Sequence, residues 1–225
     1  MTRQLSFDLP SREALGREDF FVSPANAMAV ALIEGWQNWQ PRKLALVGPS
    51  GAGKTHLVHV WAAQSDARII SARDITRYDI PTLANGNVAV EDVPMIAGNS
   101  EAEQALFHLH NLVLAEGHAL LLTAPLAPNR WALKLPDLAS RMMGTQMVVL
   151  EGPDDALLLA VLMKLFADRQ LSPTPDTLPY QVRRIDRSFE AVHRVVSALD
   201  AAALDQQRPI NRVLAAQVLG QINGS

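Results

Sequence analysis

The residues with the most specific chemistry stand at positions 48–55. Gly48-Pro49-Ser50-Gly51-Ala52-Gly53-Lys54-Thr55 fits the pattern G-x-x-x-x-G-K-S/T in full. Glycines let a backbone close around phosphate oxygens with its amides pointing inward. A helix opening at Lys54 would add its positive dipole end. Lys54 is then expected to reach the β and γ phosphates of ADP or ATP, and Thr55 to place its hydroxyl on Mg2+. His56 follows on the same helix and is counted with the nucleotide site.

A second signal is Val88-Ala89-Val90-Glu91-Asp92, an apolar run ending in two carboxylates. This is the form of a Walker B strand. Glu91 is expected to hold Mg2+ together with Thr55, and Asp92 to orient an attacking water. The usual first acid is Asp, so the longer Glu91 predicts weak intrinsic hydrolysis. Thr123 ends a further apolar run, Ala119-Leu120-Leu121-Leu122. It is placed to sense the γ-phosphate, although threonine at a strand end is also ordinary sheet chemistry. His56, His59, His108 and His110 do not have the spacing of a metal set.

These residues require a scaffold of alternating strands and helices. Leu44–Val47, Arg68–Ser71, Asn87–Val90, Ala119–Thr123 and Met147–Leu150 read as five strands, with helices over Lys54–Gln64 and Glu101–Glu116. Uninterrupted apolar strands separated by helices predict a parallel sheet buried on both faces. Ser23 as N-cap and Pro24 at the first turn predict a helix running to about Gln40. After Gly152-Pro153 the strand runs stop. Ala156–Leu171, Arg187–Leu204 and Ile210–Ile222 read as helices, with breaks at Pro173, Pro175, Pro179 and Pro209. The expected units are a leader over 1–18, an α/β nucleotide-binding domain over 19–152 and a small all-helical domain over 153–225.

Composition narrows the function. A chain of 225 residues that is 48% apolar can build a full core. The absence of cysteine excludes disulfides, zinc–thiolate sites and thiol catalysis. A net charge of -3 argues against a protein that coats nucleic acid. The first residues lack a signal-peptide run, and the apolar stretches are too short to cross a bilayer. A cytoplasmic protein without membrane contact is expected.

Taken together, Gly48–Leu57, Glu91-Asp92, Thr123 and Leu138-Ala139-Ser140-Arg141 resemble the DnaA-related AAA+ family, most closely its Hda branch of regulators that inactivate the replication initiator DnaA. Phe107-His108-Leu109-His110-Asn111-Leu112 and Leu120–Thr123 share the family's look around sensor 1. The resemblance covers residues 20 to 220 and leaves no segment for the initiator's DNA-binding or N-terminal interaction domains. It implies a P-loop AAA+ domain with a five-stranded parallel sheet, followed by a helical lid.

The resemblance also implies roles. Arg141 matches the box VII arginine, a finger that reaches a neighbouring subunit's nucleotide. Arg187 and Arg194 compete for the sensor 2 position. Seven residues apart on one expected helix, they would share a face, and Arg187 is favoured. Phe20, Phe21, Val22 and Asn26 fall where the family builds its adenine pocket. Gln4-Leu5-Ser6-Phe7-Asp8-Leu9 looks like a peptide that docks on the replication sliding clamp, with Gln4, Leu5, Phe7 and Leu9 making the contact. The implied function is a nucleotide-binding regulator that docks on the clamp and promotes hydrolysis of ATP held by DnaA. DNA would be reached indirectly through the clamp, at the nucleoid, and a homodimer is compatible with a trans-acting arginine. The alternatives are a stand-alone P-loop ATPase and a DnaA-like origin-associated protein.

Overall fold

The computed structural model describes residues 21–223, so Gln4, Leu5, Phe7, Leu9 and Phe20 lie outside the described residues. The elements run α1 (Ala27–Glu34), β1 (Lys43–Val47), α2 (Lys54–Ser65), β2 (Arg68–Ser71), α3 (Ile80–Leu83), β3 (Val88–Glu91), α4 (Ser100–Ala115), β4 (Leu120–Ala124), α5 (Pro136–Met143), β5 (Gln146–Val149), α6 (Asp155–Asp168), α7 (Thr177–Val182), α8 (Phe189–Gln206) and α9 (Arg212–Asn223). Short 3-10 turns join several of them.

The five strands form one parallel sheet in the order β2-β3-β4-β1-β5. Every residue of β1 and of β4 is buried. Alternation along the strands divides the core into two layers. Leu44, Leu46, Ala89 and Leu121 face α1 and α2, against Ile33, Leu57, Val58 and Trp61. Ala45, Val47, Val88, Val90, Leu120 and Leu122 face the other way, against Leu106, Leu109, Leu138 and Met142. Helices on both faces explain the continuous apolar runs of the strands. The strand order reverses its sense beside β1, and the loop after β1 is the one that carries Gly48–Thr55. Open sheets of this kind bind ligands outside the carboxyl ends of the strands at such a point.

The first helix departs from the expectation at both ends. Its N-cap is Asn26, and the helix stops at Glu34. Asn26 Oδ1 accepts from the Ser23 amide at 2.8 Å, and Asn26 Nδ2 donates to the Phe21 carbonyl at 2.8 Å. Gly35 breaks the helix, and Trp36 enters a 3-10 turn. Leaving the helix lets Trp39 stack on Trp61 at 5.5 Å while Trp36 meets Trp61 edge-on at 6.3 Å. Burial of three large aromatics outweighs one more turn of helix.

Helices α6 to α9 build a second core of their own around Leu158, Leu162, Phe166, Val192, Val196, Leu199 and Leu214. Helix α8 begins at Phe189, because the Ser188 hydroxyl caps it by accepting from the Ala191 amide at 3.1 Å. Arg187 therefore precedes the helix while Arg194 lies on it. The two do not share a helix face, contrary to expectation. Among the described residues, no helix is long and apolar enough to cross a membrane.

Candidate functional site

The Gly48–Thr55 loop leaves the buried strand β1 with its geometry set by backbone contacts. The Gly48 amide donates to the Ala124 carbonyl at the end of β4, 3.1 Å away. A Cβ on Gly48 would collide with the Leu150 carbonyl. Gly51 and Gly53 have φ of 72° and 95°, the left-handed region open to glycine without cost. Gly53 is also the N-cap of α2, so the helix points its first turn at the loop.

Lys54 folds over this loop. Its Nζ donates to the Gly48 carbonyl at 2.7 Å and to the Pro49 carbonyl at 2.8 Å. Burial lowers its pKa, opposed by the negative charges of Asp92 and Glu91, and burial prevails. Thr55 Oγ1 donates to Glu91 Oε1 at 2.7 Å. A hydroxyl and a carboxylate side by side are hard oxygen donors of the kind Mg2+ takes when phosphates and waters complete its shell. Among the described residues no group of three or more His, Asp or Glu side chains is placed to hold a metal ion.

Asp92 has left-handed backbone, with φ of 56°. Its amide donates to Thr123 Oγ1 at 3.0 Å, and Thr123 is 1% exposed. Thr123 thus holds the turn that aims Asp92, a role distinct from contacting phosphate directly. The Asn26 side chain, 3% exposed, bonds the backbone of residues 21 and 23 through both its oxygen and its nitrogen. It shapes the segment that presents the half-exposed Phe21.

The helical unit sits against the loop. The Phe189 amide at the start of α8 donates to the Gly51 carbonyl at 2.8 Å. Ser188 packs where a Cβ on Gly51 would stand, and the Arg187 carbonyl lies 3.0 Å from where a Gly152 Cβ would be. Arg187 pairs with Asp155 at the start of α6. These two residues, with Glu151, Gly152, Pro153 and Asp154, line an open cavity of about 640 Å³ at the hinge. Arg187 therefore stands at the junction of the two units, whereas Arg194 lies about 9 Å along α8 from Ser188. Ser188 and Phe189 have no sequence signal beyond a serine cap three residues ahead of an apolar helix face.

Arg141 is not brought to the loop. It lies exposed in the last turn of α5, and its carbonyl accepts from Lys43 Nζ at 2.8 Å. Lys43 opens β1 and Gly48 follows its end, so the two are about 16 Å apart along the strand. Lys43 Nζ also lies 3.3 Å from His110 Nε2, and His110 Nδ1 lies 3.1 Å from Asn111 Oδ1. With Lys43 as donor, His110 carries its proton on Nδ1. Burial holds the His110 pKa below 6.5, the Asn111 bond opposes it, and the Lys43 and Arg141 charges reinforce it.

The fold is shared with proteins of one kind. Domain III of the replication initiation protein DnaA from Thermotoga maritima superposes with a TM-score of 0.79 at 17% identity, covering 95% of this chain and 98% of that one. AMPPCP-bound DnaA from Aquifex aeolicus gives 0.71 at 16%, covering 84% of this chain and 65% of that one. Thermotoga maritima RuvB gives 0.69 at 16%, covering 90% and 70%. No protein-family model matches the sequence. The fold is that of an AAA+ domain, α/β with a five-stranded parallel sheet.

Two outcomes follow from the geometry. Gly51→Val places a branched side chain in Ser188 at a positive φ, so the Phe189 amide should lose hydrogen-exchange protection by about tenfold or more while amides in β1 keep theirs; equal protection at Phe189 would contradict the contact. The folded chain refuses a proton on His110 that the unfolded chain accepts below about pH 6.5. Stability should therefore fall as pH drops from about 7.5 to about 5.5, and fall less in His110→Gln, read from urea midpoints at constant ionic strength.

Proposed function

We propose that this chain is a nucleotide-binding AAA+ regulator of replication initiation, which binds ADP or ATP at Gly48–Thr55 and promotes hydrolysis of ATP held by the initiator DnaA. The observation that carries this reading is the separation of its two chemical ends. The phosphate loop, Thr55, Glu91 and Asp92 gather at the carboxyl ends of β1 and β3. Arg141 is mounted at the other end of β1. A guanidinium there cannot serve its own loop, but it can serve the nucleotide of a neighbour.

Within the chain, the loop amides and Lys54 would bind the phosphates, and Thr55 with Glu91 would hold Mg2+, whose charge offsets that of the phosphate oxygens when bound. Lys54 would exchange its two carbonyl partners for phosphate oxygens. Phe189 and Ser188 tie the state of the loop to the helical lid, and Arg187 at the hinge is the better placed of the two lid arginines. Glu91 already accepts from Thr55, so Asp92 is left as the acid free to orient water. Across the interface, Arg141 would neutralise charge developing on the partner's γ-phosphate. The likeness to DnaA structures supports the initiator as that partner. Docking on the sliding clamp through Gln4, Leu5, Phe7 and Leu9 is proposed on the sequence resemblance alone, and would bring the regulator to DNA and the nucleoid.

The reading of a stand-alone ATPase rests on Asp92, which is exposed beside the loop. Turnover by the isolated chain separates the two. We expect retained nucleotide and slow turnover. Lys54→Ala should weaken nucleotide affinity about 10- to 100-fold, the loss of a charge-assisted bond. Arg141→Ala should keep that affinity yet lose stimulation of ATP hydrolysis by DnaA. Rapid hydrolysis by the chain alone, abolished by Asp92→Asn, would favour the stand-alone enzyme. Undiminished stimulation by Arg141→Ala would end the regulator reading.

A further inference from the structure

Helix α5 is only eight residues long, too short to hold its own conformation. Its apolar stripe is two residues, Leu138 and Met142, both fully buried. The helix has no side-chain N-cap of its own. Charged groups from elsewhere in the core nonetheless hold the segment that enters it and the turn that ends it.

At the N-terminal end the donor groups meet Glu103, from the first turn of α4. Glu103 is 1% exposed, and it pairs with four backbone contacts from three residues. Its Oε1 accepts from Gly98 at 2.7 Å and from Lys134 at 3.1 Å; its Oε2 accepts from Lys134 at 2.9 Å and from Leu135 at 2.6 Å. Burial pushes this carboxyl's pKa up, but the amides of Leu135, Gly98 and Lys134 and the Lys134 charge outweigh burial and hold it below the usual value. An ionised carboxylate at a helix N-terminus also suits the helix dipole.

At the C-terminal end the problem is reversed. The last carbonyls of a helix have no partner within it. The Arg141 carbonyl accepts from Lys43 Nζ at 2.8 Å and from Thr145 Oγ1 at 3.1 Å. Lys43 is 4% exposed and opens the central strand. An ammonium at a helix C-terminus again matches the dipole. Thus a buried anion grips one end of α5 and a buried cation the other, and Arg141 projects from the gripped turn.

We infer that Glu103 and Lys43 are positioning residues for Arg141: together they mount α5 rigidly on the sheet so that the Arg141 guanidinium is presented in one orientation to a nucleoside triphosphate on a neighbouring molecule. The inference rests on the reading of Arg141 as a trans-acting group. Core packing alone does not require charge at either place. A buried charge costs free energy unless its hydrogen bonds are complete, and here three of the four bonds to Glu103 and one bond from Lys43 go to α5 and the segment that enters it.

The test compares the full chain with Glu103→Gln, Lys43→Met and Arg141→Ala, using DnaA-bound ATP as the substrate of the stimulated reaction. Glu103→Gln keeps the shape but turns an amide donor toward backbone donors. Lys43→Met keeps the length and loses the donor. Both variants should lose exchange protection at the amides of 134–145. Both should lower the maximal stimulated rate about 10- to 100-fold, the scale of a misplaced catalytic group. The concentration giving half-maximal stimulation, and the chain's own affinity for ADP, should stay within about threefold.

If Arg141→Ala abolishes stimulation while Glu103→Gln and Lys43→Met retain the full rate, the positioning role is overturned and the trans arginine stands. Stimulation lost in step with ADP affinity would reduce both residues to general stability and equally overturn it. If Arg141→Ala itself retains stimulation, the underlying reading falls, and the exchange data alone then report whether α5 is held from its two ends. Should one variant fail to fold, the other tests the same helix from its opposite end.

Discussion

Backbone brought within contact of backbone is the constraint on which this molecule turns. Gly48 lies against the Leu150 carbonyl, Gly51 against Ser188 and Gly152 against the Arg187 carbonyl. The first of these contacts joins the phosphate loop to the hinge, the second joins it to the lid, and the third joins hinge to lid. A side chain at any of them would wedge two of the three parts apart. Glycine in the loop is usually explained by the approach of phosphate. Here the same residues also admit the protein's own backbone, so the loop cannot change shape without the lid registering it. The single bond from Phe189 to the Gly51 carbonyl is the direct form of that coupling.

The buried polar groups follow a similar logic. Lys43, Glu103, His110 and Thr123 are each less than 5% exposed. Each spends hydrogen bonds on backbone, on another member of the set or, for His110, on the Asn111 side chain as well. Apolar side chains could fill the same volume, but they could not terminate a helix or hold a left-handed turn. Desolvation is tolerated where it places a backbone segment that apolar packing leaves undetermined. Thr123 does this for Asp92, and Lys43 and Glu103 do it for α5.

This division explains what was legible in the sequence. The central strands β1, β3 and β4 could be placed because burial on both faces demands unbroken apolar runs, and the edge strands β2 and β5 because short apolar runs stand between helical segments. The phosphate loop could be placed because glycine spacing is nearly unique to it. Glu91 beside Thr55 followed from an apolar run ending in carboxylates downstream of that loop. Helix α5 did not stand out as an element, since two apolar residues make no period and the bonds that support it join residues 32 and 98 positions apart in the chain. The start of α8 was misjudged because Arg187 is compatible with helix, and only the Ser188 cap, fixed by contact with Gly51, ends the possibility. Asn26 read as a ligand residue because its side chain is polar and near the expected base site. Its two backbone bonds show a residue occupied with the fold of its own segment.

If Arg141 serves a neighbour as proposed, the fold constrains how the chain's own nucleotide can matter. The phosphate loop and Arg141 are joined through β1, a strand with every residue buried and paired on both sides. Such a strand transmits position but stores no alternative conformation. A nucleotide in the loop therefore has little leverage on Arg141 through the sheet. Its leverage runs through the Gly51–Phe189 contact to the lid, which sits on the same side as the loop. In an assembly where one molecule's Arg141 meets the next molecule's loop, the lid borders that junction. The chain's own nucleotide would then act by shaping the surface around an incoming partner, while the arginine it presents stays fixed. On the proposed function, the two ends of one rigid strand would then serve the chain's own nucleotide and that of its partner.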